Sequence, residues 1–335
     1  MASLPLAPDA PPATTVILDG GLGTWLEQRG NDVTGALWSA QILLDNPAEI
    51  TAAHCDFYQA GAQIATTCSY EVTYDGLATL GYSPTQVDEV LRTSVRLAQQ
   101  ARELADATDN DIDTAEGVSP TRPRWVAASV GPYGAGPGAG TEYDGAYGLD
   151  IADLAQWHRR RLAVLDSAGA DALLCETIPS ILEITALCQE LAACTTPALL
   201  SINIRAQDPG TPHAASSLQP ILADGSSLAA VADVVRSCPQ IHALGVNCCS
   251  APLALAAVKE LSHLLSLPLM VYPNSGESWD HVQRVWQDPV DEDLSIVTKV
   301  PEFVAHNVRY IGGCCRVRPA EIQQIATTVA SLDTP

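Results

Sequence analysis

Eight short runs of aliphatic and β-branched residues recur along the chain, each followed by a longer segment whose apolar positions return every three or four residues. The runs cover residues 15–18, 62–67, 125–130, 171–175, 198–203, 242–246, 268–272 and 308–311. The longer segments include 47–60, 86–105, 151–168, 180–193, 226–236, 251–264, 294–306 and 319–332. The first pattern reads as buried strands and the second as amphipathic helices. Asp150 before Ile151 and the pair Asn46-Pro47 are helix-start signals. Strands alternating with helices make βαβ units and a parallel sheet. Eight of them fit an α/β fold of the (β/α)8 TIM-barrel type, with an open doubly wound sheet as the alternative.

By length alone, 335 residues suggest two domains, but a barrel with insertions fills the same length as one. A single barrel over 15–335 is therefore expected, preceded by a flexible segment at 1–14. Insertions are expected near 106–124 (acidic, with no apolar period), 131–148 (glycine-rich, after the third run) and 207–225 (a polar loop after the fifth).

Hydrophobic residues make up 47% of the chain, enough for a large core. The formal charge is −22, with 39 acids against 17 bases. Such a field repels phosphate backbones and anionic lipid, so nucleic-acid and membrane partners are not expected. A cationic small molecule is attracted. The proline-rich start carries no basic residue and reads as neither a signal nor a transit peptide, and no apolar run is long enough to span a bilayer. Ten cysteines in a long chain without an export signal point to a reducing cytoplasm with free or metal-bound thiols.

The cysteines also carry the sharpest chemical signal. Cys248-Cys249 and Cys314-Cys315 directly follow the sixth and eighth runs. In an α/β barrel those positions lie on the catalytic face. Three thiolates from them would give zinc a three-sulfur ligand set with one position open, which is the pattern of a reactive rather than a structural site. A strained vicinal disulfide at Cys314–Cys315 is the competing reading. Cys55, Cys175, Cys188, Cys194 and Cys238 read as core fillers, and Cys68 lies near the end of the second strand.

Other strand ends carry Asp19-Gly20-Gly21, Thr66-Thr67-Cys68-Ser69-Tyr70 and Glu176-Thr177. Carboxylates there could bind an amino group, and a glycine turn could bind a carboxylate; taken singly, Asp19 or Glu176 could equally be a helix cap. The glycines are not a dinucleotide fingerprint, since Gly21-Leu22-Gly23-Thr24-Trp25-Leu26 lacks the third glycine.

The motifs LDGGLGT, TTCSYEVT, ETIPSILE, GVNCC, VYPNSGE and GGCCR occur in the order seen in homocysteine S-methyltransferases, and the chain resembles that family over about residues 16–330. VYPNSGE makes it look like the branch using S-methylmethionine or S-adenosylmethionine. The resemblance implies Zn2+ held by Cys248, Cys314 and Cys315, with Cys249 an extra thiol. It also implies that Asp19 and Glu176 contact the homocysteine amino group, and that Gly20 or Gly21 lines its pocket with Thr66. Tyr70 and Asn247 are expected on the substrate or donor side, and Asn274 and Glu277 either on the donor side or behind the residues that touch substrate. Tyr133 and Trp38 are further aromatic candidates for a sulfonium. Where relatives often carry SYQ this chain has SYE, which puts Glu71 on the donor side.

The expected reaction is methyl transfer from a sulfonium to the homocysteine thiol, yielding methionine. Alternatives are another thiol or selenol acceptor such as selenocysteine, betaine as donor, or a non-catalytic zinc-binding or redox-sensing barrel.

Overall fold

The computed structural model describes residue 4 and residues 15–33, 39–116, 122–137, 141–207, 218–280, 285–287 and 295–332. Twelve strands lie among them: β1 (Val16–Ile17), β2 (Ile64–Thr66), β3 (Trp125–Val130), β4 (Ala172–Ile178), β5 (Ala198–Ile202), β6 (Ile204–Ala206), β7 (Pro220–Leu222), β8 (Ile241–Asn247), β9 (Leu269–Tyr272), β10 (Ser278–Asp280), β11 (Val285–Gln287) and β12 (Val308–Ile311).

Eight of these form one parallel sheet in the order β1-β12-β9-β8-β5-β4-β3-β2. Its two edges meet. Leu18 bridges Ile64 in parallel, and the Gln63 N–H donates to the Ile17 carbonyl at 2.7 Å. The sheet is therefore a closed (β/α)8 barrel, with its two edge strands joined to each other.

Two cores follow from the two faces of each strand. Leu18, Ile64, Trp125, Leu174, Leu199, Met270 and Tyr310 fill the barrel interior. Ile17, Ala65, Val126, Leu173, Leu200, Leu244 and Val271 point outward against the helices. Strands buried on both faces read as continuous apolar runs, which is why the sequence pattern finds them. Leu4 is also buried, packed with the interior cluster. The rest of 1–14 lies outside the described residues.

The helices around the barrel include α1 (Leu22–Gln28), α2 (Ser39–Asp45), α3 (Pro47–Gln59), α4 (Tyr74–Ala78), α5 (Pro84–Glu116), α6 (Ile151–Asp166) and α7 (Ile181–Leu191). They continue with α8 (Leu228–Arg236), α9 (Ala251–Leu264), α10 (Ile296–Ala305) and α11 (Pro319–Leu332). Side-chain caps set several starts: Asp150 accepts from the Asp153 N–H, Ser180 from Glu183 and Ser227 from Ala230.

Three expectations need correction. Helix α5 runs on to Glu116, so the stretch read as an insertion from 106 begins as helix; Asp106 and Asp109 pair with Arg124, and these acids stand where an apolar period would otherwise continue. The insertion at 207–225 contains β7, which pairs antiparallel with β6. Strand β4 extends to Ile178, so Glu176 and Thr177 lie within it and not beyond it.

Candidate active site

One cavity of about 360 Å³ opens at the C-terminal ends of the barrel strands. Its walls bring together Asp19, Gly20, Gly21, Thr66, Tyr70, Glu176, Asn247, Cys248, Cys314 and Cys315, all named from the sequence. Glu71 and Cys68 line it too, as do Glu142, Tyr143, Thr177 and Tyr272.

The three thiols converge because β9 stands between β8 and β12. Cys248 follows the last residue of β8 with φ 53°; its N–H reaches the Tyr272 carbonyl of β9 at 3.4 Å. After β12 the chain turns inward. Gly313 N–H donates to the Asp19 carbonyl at 3.0 Å and Cys314 N–H to that of Pro273 at 2.9 Å. The glycines make this turn possible: a Cβ on Gly312 would lie 2.4 Å from Leu18 Cβ, and one on Gly313 2.1 Å from Val317 Cγ1. Thr177 in β4 and Cys248 after β8, both in the cavity wall, hold positive φ, as does Arg316 just beyond Cys315. Such strained backbone clusters at functional sites.

The Cys248 and Cys315 sulfurs are 3.9 Å apart, and those of Cys314 and Cys315 4.0 Å. All three lie within 4.8 Å of one another. A tetrahedral zinc with Zn–S bonds of about 2.3 Å separates its sulfurs by about 3.8 Å, so the triangle fits that ion. Contacts with the Cys248 and Cys314 thiols hold Cys315 well below the ordinary thiol range, while Cys314 is pushed well above it, first by its contact with Cys248 and then by that with Cys315. Cys249 is buried, and burial raises its thiol above the ordinary range; it is not among the three clustered sulfurs. All ten cysteines are free thiols.

Facing the sulfurs are two buried carboxyls. Asp19 takes the Thr66 N–H at 2.7 Å and the Thr66 hydroxyl at 2.9 Å. Thr66 therefore orients Asp19. Glu176 accepts from the Ser129 hydroxyl, and from the Tyr272 hydroxyl at 3.1 Å. Burial pushes Asp19 up to about 8 and Glu176 to about 7. Among the described residues no Lys, Arg or His lines the cavity to balance them, which leaves a cationic ligand as the natural partner.

Asn247 braces this wall. Its Oδ1 accepts from the Thr177 N–H at 3.1 Å and the Ser201 hydroxyl at 2.7 Å, and its Nδ2 donates to the Thr177 hydroxyl at 2.8 Å. Gly21 supplies space and not a donor, since its N–H is taken by the Val317 carbonyl.

Other candidates lie off the cavity wall. Asn274 and Glu277 lie outside the cavity lining. The Asn274 N–H is bonded to the Cys249 carbonyl, and Glu277 accepts from Arg316, next to Cys315. They support the cysteine turns from behind. Tyr133 packs against Tyr147 and Trp157. Trp38 lies outside the described residues. Sequence reasoning misses Glu142 and Tyr143; the Tyr143 hydroxyl is 3.6 Å from Cys248 Sγ. Their position in the loop after β3, on the catalytic face, was the available signal.

Residues 16–329 match the family model described as homocysteine S-methyltransferase. The homocysteine S-methyltransferase of Escherichia coli (strain K12) is 39% identical, over 92% of this chain and 93% of that one. The selenocysteine Se-methyltransferase of Brassica oleracea var. italica is 36% identical, over 94% and 89%. The crystal structure of the homocysteine methyltransferase MmuM from Escherichia coli in its metallated form superposes with a TM-score of 0.79 at 36% identity, covering 94% of this chain and 96% of that one.

Proposed function

Because the chain belongs to the homocysteine S-methyltransferase family, we propose that it moves a methyl group from a sulfonium amino acid, S-methylmethionine or S-adenosylmethionine, to the thiol of L-homocysteine. The supporting observation is a triangle of three sulfurs facing two buried carboxyls across one cavity. In this reading Cys248, Cys314 and Cys315 hold a zinc ion, which when bound supplies the charge that makes a thiol a nucleophile at neutral pH.

The chain's own residues do the rest. Asp19 and Glu176 receive the homocysteine ammonium, whose charge converts both raised carboxyls to carboxylates. Asn247 and Thr66 hold those two strand ends in place. Gly20 and Gly21 leave room for the amino-acid backbone. Tyr70 and Tyr143 present rings and hydroxyls beside the sulfurs, where a sulfonium can lie against an aromatic face worth about 0.5–2 kcal/mol. The methyl carbon passes to the homocysteine sulfur while the departing thioether keeps the electron pair of the broken bond. Holding both substrates in line supplies about 7–11 kcal/mol of the barrier reduction.

Charge supports the donor reading. Asp19, Glu71, Glu142 and Glu176 line the cavity with no basic residue among the described ones, an environment that favours a donor carrying both sulfonium and ammonium over zwitterionic betaine. A selenol acceptor is the second reading, motivated by the likeness to the Brassica selenocysteine enzyme. Ten free thiols agree with a cytoplasmic setting. Comparing kcat/KM for S-methylmethionine, S-adenosylmethionine and betaine is the test; the sulfonium donors are expected to lead, and a preference for betaine overturns the donor assignment.

A further inference from the structure

Outside the cavity, between α6 and α7, lies a buried charged relay that methyl transfer does not use. His158 and Arg161 on α6 and Glu183 on α7 are 0%, 1% and 0% exposed. Glu183 Oε1 meets His158 Nε2 at 2.8 Å and accepts the Tyr133 N–H at 2.6 Å. Arg161 Nη2 lies 3.2 Å from His158 Nδ1 and donates to the Gly131 carbonyl. The guanidinium sits 4.6 Å from the Trp157 ring, and the Trp157 and Tyr147 rings flank Tyr133 at 5.2 and 5.1 Å.

Stability does not account for this arrangement. Burying a guanidinium and a carboxyl carries a desolvation cost that apolar side chains of similar volume avoid, so their burial is weak support for a stabilising role. Arg161 Nε and Nη1 are buried with no hydrogen-bond partner, which adds to the cost. The bonds that are made have a direction. Two of them reach the backbone of the loop after β3, at Gly131 and Tyr133.

That loop touches the cavity wall at two places. A Cβ on Gly131 would lie 2.6 Å from the Tyr70 carbonyl and 2.8 Å from its ring. A Cβ on Gly134 would lie 2.3 Å from the Glu142 nitrogen. The backbone at 131–134 is thus in contact with Tyr70 and Glu142, and Tyr143 follows immediately, its hydroxyl near Cys248.

We propose that Glu183, acting with His158 and Arg161, is a positioning residue for the methyl-donor side of the site. It fixes the loop after β3 so that Tyr70, Glu142 and Tyr143 form a wall beside the sulfurs. The inference rests on reading the cavity as the methyl-transfer site.

The test compares Glu183→Leu, which removes the acceptor for Tyr133, with Glu183→Gln, which keeps one. Glu183→Leu should raise KM for S-methylmethionine by about tenfold, leaving KM for homocysteine and the zinc content within about twofold. Hydrogen exchange should accelerate at the amides of 133–136 and 141–147 and not around Cys314. Glu183→Gln should restore both. Should Glu183→Leu fail to fold, Gly134→Ala presses on Glu142 from the other side and should give the same split. The proposal is overturned if loop exchange and donor KM stay at wild-type values, or if donor and homocysteine KM rise together. A wild-type protein without zinc or without sulfonium turnover refutes the proposed function instead, and loop exchange in the variants then decides the relay alone.

Discussion

The sulfurs of Cys248 and Cys315 stand 3.9 Å apart although 67 residues separate them in the chain. That distance is set by β9, which lies hydrogen-bonded between the strands that deliver them, and by glycines that let the second turn fold inward. Everything proposed for the cavity depends on this convergence.

The glycine turn is itself testable. A methyl group on Gly313 would meet Val317 Cγ1 at 2.1 Å, so Gly313→Ala must displace the segment carrying Cys314. Metal affinity is expected to fall by about 10–100-fold, the range seen when the support of a ligand is disturbed. Competition with a chromogenic chelator measures it, and unchanged affinity would show that the turn is not held by this packing.

Asp19 has a raised folded value of about 8 against an ordinary 3.8, caused first by burial. The native state therefore holds this proton more tightly than the unfolded chain. The contribution to stability is full below about pH 4 and is lost as pH rises through about 8. Asp19→Asn removes that loss. At pH 8.5, without substrate, it should melt about 2 °C or more above wild type, while KM for homocysteine rises at least about tenfold. A variant less stable at pH 8.5, or one with normal homocysteine KM, contradicts the role assigned to Asp19.

Asn247→Ala leaves the Thr177 N–H and the Ser201 hydroxyl without the acceptor they share. Unpaired buried groups cost about 1–3 kcal/mol. Thr177 already holds φ 62° next to Glu176, so loss of the brace should lower both the melting temperature and kcat/KM for homocysteine. Denaturant unfolding alongside steady-state kinetics checks this; a stability loss with full activity would make Asn247 purely structural.

The barrel was legible in sequence because its strands are apolar on both faces: 125–130 and 308–311 match the strands to the residue. Local patterning fails where tertiary contacts decide. The short antiparallel pairs β6–β7 and β10–β11 carry no clear period. Helix α5 continues through a polar stretch in which acids pair with Arg124. In the site, Cys248, Cys314 and Cys315 stood out as paired cysteines after strands. Ser129 and Tyr272 are ordinary strand residues in sequence, and only the closed barrel turns their hydroxyls onto Glu176. Asn274 and Glu277 were visible in a motif, but a motif does not say on which side of a turn a side chain falls.

The central claim is that three sulfurs hold one ion that the reaction requires. Zinc per chain and methyl transfer from S-methylmethionine to homocysteine, measured together on wild type and Cys248→Ala, test it most directly. About one zinc per chain with turnover is predicted for wild type, and loss of both for a Cys248→Ala protein that still folds. A Cys248→Ala protein that keeps its zinc, or that turns over at the wild-type rate without metal, would contradict the account.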